Sequence, residues 1–208
     1  VFGALGLLLI LCSFFSAYLT PYDPYLQNLD IAKQPPSAEH LLGTDRYGRD
    51  MLSRVIAGSR ASIFSTLLLV AVITALGTAV GVTCGWVGGL TDTVLMRISD
   101  VFLAFPGLVF ALAVAGSLGG GLQNAIIALA AISWPKYARI ARSQTLSQKE
   151  TQWMKAVRLS GSGTGKIIFK HILPNILGPI LVTSMLDIGT MMMELAALSF
   201  LGLGAKPP

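Results

Sequence analysis

The sequence predicts an all-α protein whose solvent is largely lipid, and three observations point that way. Of the 208 residues, 53% are hydrophobic and only 12% are charged, about half the charge of an ordinary soluble domain; mean hydropathy is +0.70. Apolar runs near or above the ~18 residues needed to cross a bilayer recur along the chain. Basic residues are concentrated in one connection, 136–170, which carries eight Lys and Arg against the single acidic Glu150.

The first run, 1–20, is predicted as a transmembrane helix. It has no Met and no basic start, so a clipped span is expected rather than a signal peptide. Tyr18, Tyr22 and Tyr25 follow it as an aromatic belt at the bilayer edge. Residues 21–60 read as a polar extracytoplasmic segment with Pro21, Pro24, Pro35 and Pro36, and its five acidic residues balance five basic ones. The membrane core then occupies 61–208.

Within that core, a second run extends from Ala61 to about Trp86, and Gly88-Gly89 through Asp92 predict a short turn leading to Arg97 and Asp100. The third run covers about 101–118, with a kink at Pro106. Gly119 to Gly121 make a tight connection. The fourth run, Leu122 to about Trp134, continues with helical spacing and rising charge. The fifth covers 166–203 and is expected to break at Pro174, Gly178 and Pro179. Cys12 and Cys84 both lie inside apolar runs, as small hydrophobes rather than a disulfide framework.

Charge sets the orientation. The positive-inside rule places 136–170 in the cytoplasm. Counting spans backward puts 119–121 outside, 88–97 inside and 21–60 outside.

The most informative segment lies between Gln144 and Asn175. Gln152 to Leu159 has helical composition, and Trp153, Ala156 and Val157 fall at i, i+3 and i+4, on one face. Gly161, Gly163 and Gly165 end the helix and allow a sharp turn. Such a helix suits a groove on a partner protein. It would equally suit the headgroup layer, with its Arg and Lys on anionic lipid. Residue physics alone leaves both open.

A family resemblance separates them. Trp153, Ala156, Arg158, Gly161, Ile167, His171, Leu173 and Pro174 fall on a pattern that resembles the cytoplasmic EAA loop of binding-protein-dependent ABC importer permeases; Gln152 stands where that pattern opens with an acidic residue. His40 to Asp50, Asp100 to Pro106 and Leu198 to Gly204 look like the dipeptide, oligopeptide and nickel permease group. The resemblance implies a type I ABC importer transmembrane bundle, with five of about six spans present, in a bacterial inner membrane. It implies a coupling loop over 143–166, with Gln152, Trp153, Ala156, Val157, Arg158 and Gly161 in contact with an ATPase. The implied partners are a second permease in a heterodimer, two cytoplasmic ATPase subunits, an extracytoplasmic solute-binding protein and membrane lipid. ATP and Mg would be held by the ATPases; this chain is expected to bind no cofactor, to hold no metal site and to carry no catalytic residue. Leu186 to Met192 and Arg158 to Gly163 look closer to the nickel branch, so import of nickel or a nickel chelate is expected, with short peptides as the alternative.

Asp187 and Glu194 are seven residues apart, two helical turns, and so share a face of an unbroken helix. Ionisable groups at membrane depth usually face a bundle interior or an aqueous cavity. With Met191 they form a candidate path for a cationic solute, or a contact with the partner permease. Met185, Met192 and Met193 nearby read as packing rather than as soft-metal ligands.

Other readings fall away. Gly161 to Lys166 (GSGTGK) has the wrong spacing for a phosphate loop, and the basic cluster satisfies membrane topology without nucleic acid. No Ser/His or paired-Asp constellation supports an intramembrane enzyme, and no internal symmetry supports a secondary carrier. His40 and His171 are expected on opposite sides of the bilayer. Asp45, Arg46, Arg49 and Asp50 form either an internally paired turn or a contact with the binding protein.

Overall fold

The structure, a computed structural model, describes Gly6 and residues 10–205. Most of the first predicted span lies outside the described residues; its far end is helical over Ser16–Leu19 (α1). Packing divides the chain into two units, one of residues up to Ser65 together with Ala205, the other Thr66–Gly204.

In the first unit, residues 20–50 form a compact irregular segment around a 3-10 turn at Leu29–Ile31. Backbone bonds tie its two halves: Asn28 N–H to Tyr47 O (3.1 Å), Lys33 N–H to Asp45 O (2.9 Å) and Thr44 N–H to Gln34 O (3.1 Å). Gly48 has a φ of +71° and its α-carbon lies against the Asn28 backbone, leaving no room for a β-carbon. The long helix α2, Met51–Val87, begins directly after this segment, ten residues ahead of the apolar run that announced it. Arg54 and Arg60, expected in a connection, are therefore helical.

α2 ends where Gly88 (φ +71°) and Gly89 (φ +59°) turn the backbone left-handed, a conformation glycine adopts without steric cost. The expected turn over 88–97 is instead the start of α3, Gly89–Leu103. The predicted kink is a full bend. α3 meets α4, Gly107–Ser117, at 90°, because Pro106 lacks an N–H and biases Phe105 out of the helical region. Phe102, Phe105, Phe110 and Trp134 fill the inside of the bend, with ring centroids 5.8–5.9 Å apart.

α5, Leu122–Lys149, is the hub of the second unit and packs on α3, α4 and α8. Its buried residues are mostly small, among them Ala125, Ala128, Ala138 and Ala141, which lets neighbours approach on several sides at once. On the α2 side the approach is closest. Gly77, Gly81 and Gly85 meet α5 so tightly that β-carbons there would stand within 3 Å of Trp134 to Thr145 atoms. Small residues at four-residue spacing are how membrane helices come together.

After the short helix α6, Gln152–Leu159, the chain rises through α7, Thr164–Ile167, a π-turn at Ile168–Ile172, and α8, Leu173–Phe200. The expected break does not occur: helix runs unbroken from Thr164 to Phe200. Pro174 sits in the first turn of α8, where a missing N–H costs nothing, and Pro179 is carried inside the helix, as neighbouring helices allow in membranes. Among the described residues, Met51–Val87 and Thr164–Phe200 are long and apolar enough to cross a membrane, and the bent α3–α4 pair adds a third if it is one span. α5 is ~42 Å long, but only Leu122–Trp134 of it is apolar.

Candidate functional site

The helix α6 has the bounds the sequence implied. Thr151 precedes it in an extended conformation, and Gly161, at φ +75°, turns the chain away after it. One side anchors to the protein's own core: Met154 is completely buried and Val157 packs half-buried on the same cluster. Trp153, Ala156 and Leu159 are exposed, Leu159 at 89%. The predicted face is therefore divided, with Val157 turned inward and Leu159, which sequence reasoning passed over, joining Trp153 and Ala156 outside. Their spacing of three carries the signal. Gln152 and Arg158 are also exposed.

Aromatic and cationic groups hold α6 in place. The Arg158 guanidinium lies 4.6 Å from the Trp86 ring centroid, at the end of α2. Lys149 Nζ donates to Trp86 O at 2.8 Å. The Trp153 and His171 rings stand 6.0 Å apart, linking α6 to the π-turn. The ends of α2, α5 and the Thr164–Phe200 helix thus converge on this one short element.

Deeper in the unit lies a charge cluster that joins α5 to α8. Asp187 is 6% exposed. Its carboxylate accepts from Lys136 Nζ at 2.7 and 2.9 Å and from the Tyr137 hydroxyl at 2.8 Å. Met191 is buried one turn on, and Glu194 half-buried a further turn on; among the described residues the Glu194 carboxylate has no hydrogen bond or ion pair. The other methionines scatter around α8, with Met185 68% and Met193 76% exposed. No group of three or more His, Cys, Asp or Glu able to hold a metal occurs among the described residues.

Two more ion pairs clasp α3 to α5. Arg142 grips Asp92 with two bonds of 2.5 and 2.6 Å, and Arg139 meets Asp100 at 2.5 Å. Lys136, Arg139 and Arg142, counted with the loop on sequence, are helical and paired with partners some fifty or forty positions away.

In the first unit the charged turn is internally paired. Asp45 accepts from the Tyr47 and Arg49 N–H groups and from the Arg49 guanidinium. Burial raises its pKa, but these donors outweigh it and hold the carboxyl below its ordinary value. Asp50 bonds His40 Nδ1 at 3.0 Å and caps α2 through the Ser53 N–H at 2.7 Å. There too burial is outweighed, by Ser53 and His40, and the pKa falls.

A bent three-helix hub, long apolar helices on either side of it and a short anchored helix presented at one end define a permease bundle of the type I ABC importer class, a multi-pass inner-membrane protein. The chain belongs to the family described as the binding-protein-dependent transport system inner membrane component, which matches residues 77–208. It is 38% identical to the dipeptide transport system permease protein of Haemophilus influenzae, over 97% of this chain and 70% of that protein. It is 40% identical to the glutathione transport system permease protein of Pectobacterium atrosepticum, over 99% and 69%, and 39% identical to the nickel transport system permease protein of Escherichia coli, over 97% and 73%. The chain is an ABC importer permease subunit, and its relatives are permeases rather than enzymes.

Proposed function

We propose that this chain forms, with a second permease, the path of an importer of short peptides, and that α6 is the point at which an ATPase subunit drives it. The observation that carries the reading is the division of α6: Met154 and Val157 bind it to its own bundle, leaving Trp153, Ala156 and Leu159 for a partner. A helix fixed on one side and apolar on the other passes a displacement from its partner to the elements behind it. Those elements are α5 and the Thr164–Phe200 helix, so closure of the ATPases would shift the balance between two packings of the bundle. ATP and Mg belong to the ATPases. The basic residues around α6 support a cytoplasmic location, and residues 20–50 would then face the solute-binding protein outside.

Asp187, Met191 and Glu194 are proposed to border the path. Lys136 neutralises Asp187, so Glu194 offers the free negative charge, suited to the ammonium terminus of a peptide. Nickel is the second reading. It is favoured by Leu186–Met192 and Arg158–Gly163, and by an identity to a nickel permease equal to that for peptide permeases. Uptake of radiolabelled dialanine and of nickel ion by the reconstituted complex, with and without ATP, tests both. Accumulation of dialanine alone supports peptide import, accumulation of nickel alone replaces it with the second reading, and ATP-independent uptake removes the importer reading.

A further inference from the structure

We propose that the Lys136–Asp187 pair is a clamp that makes α5 and α8 move as one lever, and that coupling of ATP hydrolysis to transport depends on it. The inference rests on the importer reading above and assigns these residues a positioning role within it. α5 and the Thr164–Phe200 helix are the two legs that leave the α6 segment, one on each side of it in sequence. Each leg contains a weak joint. Pro135 interrupts the α5 hydrogen-bond ladder, since it has no N–H to give, and the π-turn at Ile168–Ile172 widens the other leg. A push delivered at α6 would be lost in those joints unless the legs were tied beyond them.

The clamp sits where such a tie is needed. Lys136 immediately follows Pro135, ~20 Å along α5 from Lys149, and Asp187 lies fifteen residues beyond the π-turn, ~22 Å. Its make-up suits a fixed joint. Asp187 is buried and receives three donor contacts, two from Lys136 and one from Tyr137. A buried charge left without its partner is costly, so the two helices cannot separate at this level cheaply. The ion pair does not face α6 and is absent from the coupling surface; it acts through the helices it joins.

The test uses the full complex with its partner subunits in liposomes. It measures ATP hydrolysed per solute imported, with radiolabelled dialanine or nickel ion, whichever the unaltered complex accumulates. Asp187→Asn and Lys136→Met should each raise that ratio about tenfold, the scale of a lost inter-site coupling, while ATP hydrolysis continues. Lys136→Arg, which keeps the charge and the donors, should leave the ratio close to that of the unaltered complex. A ratio unchanged in Asp187→Asn, or Lys136→Arg as damaging as Lys136→Met, overturns the clamp. Should Asp187→Asn fail to assemble, Tyr137→Phe decides in its place, since it removes one donor and no charge: a raised ratio supports the proposal and an unchanged one overturns it. Failure of the unaltered complex to import either solute with ATP would instead overturn the importer reading, and the clamp with it.

Discussion

Gly81 of α2 lies directly against Ala141 of α5: a β-carbon on Gly81 would stand 2.7 Å from the Ala141 β-carbon and closer still to the Ala138 carbonyl. Gly77 and Gly85 repeat the contact one turn either way. Because lipid tails are as apolar as the side chains, helices in a membrane are held by close packing rather than by escape from water. Gly81→Leu should therefore force α2 away from α5 and cost about 3 kcal/mol. A lowered midpoint of thermal unfolding in detergent would record it. Gly178→Ala, on α8 with open space around the added carbon, should leave the midpoint unchanged.

Substitutions on α6 should separate folding from coupling. Ala156 is exposed, so Ala156→Asp is expected to preserve membrane insertion and stability while abolishing ATP-driven uptake. Met154 is fully buried, and Met154→Ala should cost ~2–5 kcal/mol. Insertion assays and proteoliposome uptake together check the pair; retained transport by Ala156→Asp would remove α6 as the driven element.

The Arg142–Asp92 contact joins α3 to α5 with two short bonds, and its side chains are 35% and 17% exposed. Arg142→Gln should destabilise by about 1–2 kcal/mol after allowance for that exposure. Asp92→Asn should do the same, and the double variant should cost less than the sum. A thermodynamic cycle on the unfolding of the purified protein measures the coupling.

The external segment should loosen in acid. Asp45 and Asp50 have folded pKa values below their ordinary ones. Their contribution is thus complete above the unfolded carboxylate value near 3.9, and is lost as pH falls through the lower folded values. Hydrogen exchange across 28–50, compared at about pH 6 and about pH 3, should accelerate on the acid side. Asp50→Ala should reproduce part of the effect at neutral pH, at ~1 kcal/mol for a lost helix cap.

Legibility in the sequence followed the range of the interactions. The helix at 152–159 and the bend at Pro106 are set by neighbours, so apolar spacing, Gly161 and Pro106 were enough to read them. The start of α2 at Met51 was missed because Ser53, Arg54 and Arg60 look like a connection, although Asp50 carried a cap signal. Lys136, Arg139 and Arg142 looked like loop charges, since nothing local reveals that Asp187, Asp100 and Asp92 await them. The Gly77–Gly81–Gly85 period was present in the letters, but it gains meaning only with α5 beside it. Pro179 predicted a break because the rule for water assumes no neighbouring helix. Of the coupling face, Trp153 and Ala156 could be read from periodicity, whereas the inward turn of Val157 depends on the core behind it.

The π-turn at Ile168–Ile172 has a consequence for chain length. A wide turn of this kind holds one residue more than an α-helix would need, and each residue advances the helix by about 100°. Removing a single residue there would restore regular winding and rotate everything after it, so that Asp187 would swing toward lipid and away from Lys136. Single-residue deletions in this stretch should thus be far more disruptive than any side-chain change, even though the shortened helix would itself be better formed.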